Sequence, residues 1–261
     1  MDAQPKKSLG QHWLHDDQTL ESMCDFAEIQ PADYVVEIGP GLGTLTDKLL
    51  IRNANVLAVE FDDNLANKLS AKYKNKITVV NKDVLKFNFE EQPKGYKICA
   101  NIPYYLTSNL IRILTELNNK PEIVALLIQK EVAERICEKP GQMSLLSVWA
   151  QSFFECSLGQ IVPAELFTPP PKIDSQIVIL KKLNTPIFDN KDKTLNRVLK
   201  AGFSNKRKTL VNNLSSGLGI QKSLVINILN TLSININARA QELSCEDWKT
   251  LSKALAKNLT S

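Results

Sequence analysis

Residues 34–46 read "YVVEIGPGLGTLT": an apolar run from Tyr34 to Ile38, interrupted by one carboxylate, Glu37, and closed by Gly39, Gly41 and Gly43. A short apolar run bounded by turn residues predicts a buried strand. The stretch that follows, "LTDKLLIR" (45–52), carries its leucines at helical spacing. Strand, glycine turn and helix in that order open a βαβ unit, and a turn of this kind lets the backbone come close to a ligand.

The same alternation continues along the chain. "NVLAVEF" (55–61), "ITVVNKDV" (77–84), "YKICANI" (96–102) and "EIVALLIQ" (122–129) read as further buried strands, with a helical pattern in "NLIRILTEL" (109–117). Alternating strands and helices predict an α/β fold with a parallel, doubly wound sheet. "MSLLSVWAQSFF" (143–154) reads as a helix, and "ECSLGQIV" and "SQIVILKKL" as two strands that pair antiparallel at the end of the sheet. A polar break, "NTPIFDNKDK" (184–193), precedes an all-helical remainder, in which Ser244 and Asp247 form a helix-opening capping box. The expected division is 1–185 for the sheet domain and 186–261 for a small helical domain.

Composition narrows the classes. Five scattered cysteines with no CxxC pair suit a reducing compartment and give no zinc site. The N-terminus has no apolar signal core, and no run of about 18 apolar residues is present. The expectation is a cytoplasmic monomer with no membrane segment. Charge is uneven: up to Leu183 there are 20 Lys and Arg against 23 Asp and Glu, and from Asn184 on 12 against 5, a balance of +7. Such asymmetry points to an acidic or nucleic-acid partner for the helical part, against the plainer reading of a solvated surface.

Strand ends carry the chemistry. Glu37 precedes the glycines, and the turn lacks the GxGxxG spacing of dinucleotide sites, so a cationic ligand fits it better than a phosphate. Glu60 ends the second strand, where a carboxylate can take both hydroxyls of a ribose. Asp83, next to Val84, ends the third, where it can meet an adenine amine. Taken singly, each is an ordinary turn residue. In register along one edge of an open sheet, they describe a crevice for S-adenosylmethionine, which has a ribose, an adenine and a sulfonium but no phosphate.

The fourth strand ends in Asn101-Ile102-Pro103-Tyr104. The exocyclic amine of adenine is a poor nucleophile because its lone pair is conjugated into the ring. The Asn101 side-chain oxygen can accept one of its N–H bonds, and Pro103 fixes the loop so that a nearby backbone carbonyl accepts the other. Tyr104 offers a flat face on which a base can stack.

With these motifs in place, the chain resembles the small-subunit rRNA adenine dimethyltransferases, members of the Rossmann-like class I methyltransferases. The resemblance runs nearly end to end. It rests on "KKSLGQHWLHD" (6–16), "VEIGPGLGTLT" (36–46), "VEFD" (59–62), "DVLKFNF" (83–89), "NIPYYLTS" (101–108), "FTPPPKIDS" (167–175), "GFSNKRKTL" (202–210) and "ARAQELS" (238–244). It implies that His12 and Leu14 contact S-adenosylmethionine, with Gly39 under its methionine part, Glu60 at its ribose and Asp83 at its adenine, and that Glu37, Gly41 and Val84 also belong to the cofactor site. It implies that Asn101 bridges the cofactor and the target amine, that Tyr104 stacks on the target adenine, and that Phe167 covers the other face. Two positions depart from the family pattern: His12 stands where Asn is usual and Trp13 where Phe is usual. A backbone contact survives the His12 change; a side-chain amide contact does not.

Lys206, Arg207 and Lys208, read as opening the second helix of the helical domain, are implied to contact rRNA phosphates on an assembling 30S-type subunit. The implied reaction is transfer of methyl groups to N6 of two adjacent adenosines near the 3′ end of small-subunit rRNA. Two alternatives stay open. One is a large-subunit rRNA methyltransferase of the macrolide-resistance type, disfavoured by the "GFSNKRKTL" and "ARAQELS" stretches. The other is a non-catalytic assembly or transcription factor on the same fold, disfavoured by the intact Asn101–Tyr104 set.

Overall fold

The computed structural model describes residues 5–6 and 9–259; Lys7 and Ser8 of the basic N-terminal segment lie outside the described residues. The chain divides into two compact units, Met1–Glu134 with Glu155–Lys182, and Arg135–Phe154 with Leu183–Ser261. The second unit includes everything from Leu183 on. It also takes in Arg135–Phe154, which the sequence pattern groups with the sheet.

In the first unit, a short strand β1 (Trp13–Leu14) and helix α1 (Asp17–Phe26) precede the sheet. There follow β2 (Tyr34–Ile38), α2 (Thr44–Ile51), β3 (Asn55–Glu60), α3 (Asp63–Tyr73), β4 (Ile77–Asn81), β5 (Lys97–Asn101), α4 (Thr107–Glu116) and β6 (Ile123–Gln129). Helices α5 (Lys130–Ile136) and α6 (Leu145–Phe153) lead to β7 (Phe154–Val162), β8 (Phe167–Thr168) and β9 (Ser175–Lys182). The seven-stranded sheet has the order β4-β3-β2-β5-β6-β9-β7. The pairs joining β4 through β6 are parallel, and β6 pairs antiparallel with β9.

The chain starts in the middle of the sheet at β2, winds outward through β3 and β4, then crosses back to β5 on the other side of β2. That reversal makes the gap between the carboxyl ends of β2 and β5 the crevice of the fold. The parallel strands read as unbroken apolar runs because both of their faces are buried: Val35, Val36, Ile98 and Ala100 are wholly inaccessible. Charged residues appear where the strands end. The antiparallel register of β6 with β9 sets Gln129 opposite Ser175, which delivers Ser175 to the edge where β5 ends.

The second unit contains α6 and, after Leu183, α7 (Lys193–Gly202), α8 (Leu210–Leu218), α9 (Lys222–Thr231) and α10 (Cys245–Ala256). Ser244 and Asp247 form the expected capping box at the start of α10. The core of this unit centres on the fully buried Trp248, against which Gly202 packs so closely that an added Cβ would lie 2.3 Å from the indole. One expectation is corrected. Lys206, Arg207 and Lys208 do not open α8; they occupy the turn before it. The Asn205 side chain accepts the Arg207 N–H at 3.0 Å, and this local bond holds the backbone in a turn in place of a helix. Among the described residues no helix is long and apolar enough to cross a membrane.

Candidate active site

One cavity opens at the carboxyl ends of β2, β3 and β5. It is lined by segments 9–14, 37–42, 44–45, 59–61, 82–85 and 101–106 and by Leu20, all in the first unit. It brings together His12, Leu14, Glu37, Gly39, Gly41, Glu60, Asp83, Val84, Asn101, Pro103 and Tyr104, residues spread over almost a hundred positions of sequence.

The glycine turn is tied down by its own hydrogen bonds. Helix α2 starts immediately after the turn, where free backbone N–H groups would suit an anion. Within the turn itself, the glycine N–H groups are used: Gly39 N–H donates to the Val59 carbonyl at 2.9 Å and Gly43 N–H to the Pro40 carbonyl at 2.8 Å. Gly41 N–H donates to Glu60 Oε2 at 3.2 Å. Gly43 must be glycine, since its φ is +81° and a Cβ there would lie 2.3 Å from the Tyr73 hydroxyl oxygen. Tyr73 in turn donates to the Gly43 carbonyl at 2.7 Å, pinning the turn to α3.

Two carboxyls stand behind that turn. Glu60 accepts Asp62 N–H at Oε1 (2.9 Å) as well as Gly41 N–H at Oε2. Burial raises its pKa, against the lowering effect of the amides of Asp62, Gly41 and Phe61. Each of its oxygens keeps a second lone pair for a ligand hydroxyl. Glu37 is deeper, 1 % exposed. Thr46 Oγ1 donates to its Oε2 at 2.6 Å, while its Oε1 has no partner. Burial pushes its pKa up to about 8, with the Thr46 bond acting in the opposite sense. Asp83 caps a short 3₁₀ turn by accepting Leu85 N–H at 2.9 Å, and Val84 beside it is buried. The carboxyls of Glu37, Glu60 and Asp83 together with an apolar wall suit the adenosine and sulfonium of S-adenosylmethionine better than a pyrophosphate.

The N-terminal segment lies along this cavity. Lys6 pairs with Asp62 at 2.5 Å. Trp13 packs on Gly41, where an added Cβ would be 3.3 Å from the indole ring. Strand β1 pairs with β8, setting Trp13 opposite Thr168 and Leu14 opposite Phe167. Asn101 Nδ2 donates to the His12 carbonyl at 3.2 Å, so the contact at this non-family position is made by the main chain. The His12 ring bonds through Nδ1 to the Pro169 carbonyl at 2.7 Å and lies nearly parallel to the Tyr104 ring, with centroids 6.0 Å apart. The Tyr104 hydroxyl shares a 2.7 Å hydrogen bond with Ser175 Oγ, and burial raises its pKa.

Phe167, expected to cover the target base, is placed differently. It is 3 % exposed, belongs to the hydrophobic core with Leu14, Leu20 and Val162, and does not line the cavity. Pairing of β8 with β1 sets it opposite Leu14, and both side chains are buried in the core, Leu14 also reaching the cavity wall. Two aromatics on the cavity wall escaped the sequence pattern. Phe61 is 58 % exposed and Tyr105 is 61 % exposed. Each directly follows a residue that was singled out, Glu60 and Tyr104, and a large exposed aromatic beside a strand-end polar group was the available signal.

Comparison with known proteins agrees with this arrangement. The family described as ribosomal RNA adenine dimethylase matches residues 3–257. The ribosomal RNA small subunit methyltransferase A of Dehalococcoides mccartyi (strain CBDB1) is 40 % identical over 259 residues, covering 97 % of this chain and 89 % of that protein. The protein of the same name from Enterococcus faecalis (strain ATCC 700802 / V583) is 37 % identical, covering 97 % and 91 %. Among solved structures, a dimethyladenosine transferase from Plasmodium falciparum superposes with a TM-score of 0.81 at 28 % identity, covering 94 % of this chain and 98 % of that one. The 23S rRNA methyltransferase ErmE superposes with a TM-score of 0.72 at 28 % identity, covering 94 % and 99 %. A match along nearly the whole length, joined to the strand-end crevice and its Asn-Ile-Pro-Tyr loop, places this chain in the ribosomal RNA adenine dimethylase family.

Proposed function

We propose that the protein transfers methyl groups from S-adenosylmethionine to the N6 amines of two adjacent adenosines near the 3′ end of small-subunit rRNA. The observation that carries this reading is the anchoring of Asn101. Its Nδ2 is fixed on the His12 carbonyl at the mouth of a cavity that also holds Glu60, Asp83 and Tyr104. With the nitrogen end committed, Oδ1 is the end that accepts an N–H of the target amine.

S-adenosylmethionine supplies an electrophilic methyl group when bound. Glu60 takes the ribose hydroxyls, Asp83 the adenine amine, and Val84 the adenine face; Leu14, Gly39 and Gly41 shape the space for the methionine part. The second acceptor for the target amine is a main-chain carbonyl of the loop that Pro103 fixes. Two accepted N–H bonds favour a pyramidal nitrogen whose lone pair points at the methyl donor. Tyr104, held by Ser175, presents the stacking face. No strong base is required, because the amine proton becomes acidic only after the methyl group arrives; catalysis is orientation of the reacting atoms. In the second unit, Lys206, Arg207 and Lys208 bind rRNA phosphates of the assembling small subunit.

The test is incubation with S-adenosylmethionine and small ribosomal subunits that lack the modification, followed by mapping of the methylated positions. Two doubly methylated neighbours near the 3′ end are expected. Methylation confined to large-subunit RNA would move the protein to the macrolide-resistance class, and cofactor binding without any transfer would make it a binding factor.

A further inference from the structure

We propose that Asn213 is a positioning residue for rRNA binding: through Asn205 it pre-shapes the turn that displays Lys206, Arg207 and Lys208. The proposal rests on the reading of those three cations as a phosphate grip.

Asn213 lies in α8 and is 2 % exposed. A buried amide that does no work for the fold is costly, so its partners are informative. Its Nδ2 donates to the Gly202 carbonyl at 2.7 Å and to the Asn205 carbonyl at 2.9 Å. Both of its N–H bonds are therefore used, one at the last residue of α7 and one at the start of the basic turn. Asn205 passes the constraint on. Its carbonyl also accepts Lys208 N–H at 3.2 Å, and its side-chain oxygen accepts Arg207 N–H at 3.0 Å. Gly202, at the other end of the clamp, is fixed against Trp248.

The turn is thus held by one buried side chain at two carbonyls, while what it displays is exposed. Lys206, Arg207 and Lys208 are all solvent-facing, and among the described residues none of them forms an ion pair. Three unpaired cations on a short turn repel one another and gain nothing from the fold, so a rigid backbone beneath them has a use when an anionic partner arrives. Ordering a loop on binding costs conformational entropy, and a loop ordered beforehand avoids that cost.

The experiment is titration of the full chain with small ribosomal subunits that lack the dimethyl mark, at several salt concentrations. The variants are Asn213→Leu, Asn205→Ala, the pair Arg207→Gln/Lys208→Gln, and each asparagine variant in the paired background. Asn205→Ala keeps the carbonyl that Asn213 holds and removes the side-chain bond to Arg207 N–H, so it tests the step through Asn205 that the role of Asn213 needs, even where Asn213→Leu fails to fold. Asn213→Leu and Asn205→Ala are each expected to weaken binding about tenfold, the effect of giving up a pre-ordered loop. The slope of log affinity against log salt should stay unchanged, because the same phosphates are neutralised once bound. The Arg207/Lys208 pair should flatten the slope, by about 0.7–0.9 for each phosphate no longer neutralised. In that background the asparagine variants should cost almost nothing more. Wild-type affinity for a folded asparagine variant, or full additivity with the neutralised pair, overturns the role of Asn213 and leaves the cations as the grip. An unchanged affinity and slope for the neutralised pair itself removes the grip, and the role of Asn213 with it.

Discussion

The Asn101 side chain is fixed by the main chain of His12: Nδ2 donates to the His12 carbonyl at 3.2 Å, and no side-chain atom of residue 12 takes part. Any residue at position 12 offers the same carbonyl, so the Asn-to-His departure from the family pattern leaves this contact untouched. Asn101→Ala is expected to slow single-turnover methylation on the order of a hundredfold, the scale for removing one pre-aimed hydrogen-bonding group. Subunit affinity should hold near the wild-type value. His12→Asn, which keeps the carbonyl, should leave the rate within a few-fold. A wild-type rate for Asn101→Ala would show that the amine is oriented by other groups.

Glu60 holds two backbone amides, those of Gly41 and Asp62, besides its proposed ribose contacts. Glu60→Ala therefore both removes a ligand acceptor and frees the glycine turn. Hydrogen bonds to a charged acceptor are worth roughly 1.5–3 kcal/mol each, so S-adenosylmethionine should bind at least about tenfold more weakly. Calorimetry with S-adenosylmethionine and with 5′-methylthioadenosine, which keeps the ribose but lacks the amino acid, checks the assignment. Both ligands should lose affinity to a similar degree, and a loss restricted to S-adenosylmethionine would move Glu60 to the methionine end.

Glu37 makes stability depend on pH. Its pKa is raised by burial from 4.5 to about 8 in the folded protein. Between those values the folded chain keeps a proton that the unfolded chain has released, so the folded state binds more protons and stability falls as pH rises through this window. Below it both states are protonated and Glu37 contributes no slope. Thermal unfolding of wild type and Glu37→Gln from about pH 5 to about pH 8.5 is the measurement. The Gln variant should lose less stability than wild type over that range. Parallel curves would mean that Glu37 ionises in the folded protein much as it does in the unfolded chain.

The sheet and its crevice were legible because the signals are local and have no competing use. Unbroken apolar runs mark strands buried on both faces, and a carboxylate such as Glu60 or Asp83 at the end of such a run has no role in the core. What the sequence hid depends on partners far away along the chain. Phe167 reads equally well as a base cover or as a core residue until β8 is known to pair with β1 and set it opposite Leu14. Lys206–Lys208 precede a helical pattern with no gap, and only the side chain of Asn205 shows that the backbone turns there first. Helix α6 follows the sheet strands in sequence, yet it groups with the helical unit, and nothing in its own apolar pattern specifies which surface it will cover.

Phe167 and Tyr104 supply the sharpest contrast. Both are aromatic and both were expected at the target base, but Phe167 is a core residue and Tyr104 lines the cavity. Truncating a buried phenylalanine typically costs about 3–5 kcal/mol, so Phe167→Ala should lower the melting temperature by several degrees or more and lose activity only through unfolding. Phe167→Leu keeps apolar bulk and should recover most of the stability and most of the methylation rate. Tyr104→Ala should behave in the opposite way. Its melting temperature should move less than that of Phe167→Ala, while the missing stacking face removes about 1–3 kcal/mol of base binding. Tyr104→Phe gives up the hydroxyl bond to Ser175 but keeps the ring, and should retain much of the rate. Melting curves and single-turnover methylation on the same four variants separate the two positions. A Phe167→Leu protein that is stable yet as inactive as Tyr104→Ala would mean that the Phe167 ring swings out of the core to meet the base, and that the β1–β8 pairing opens when rRNA binds.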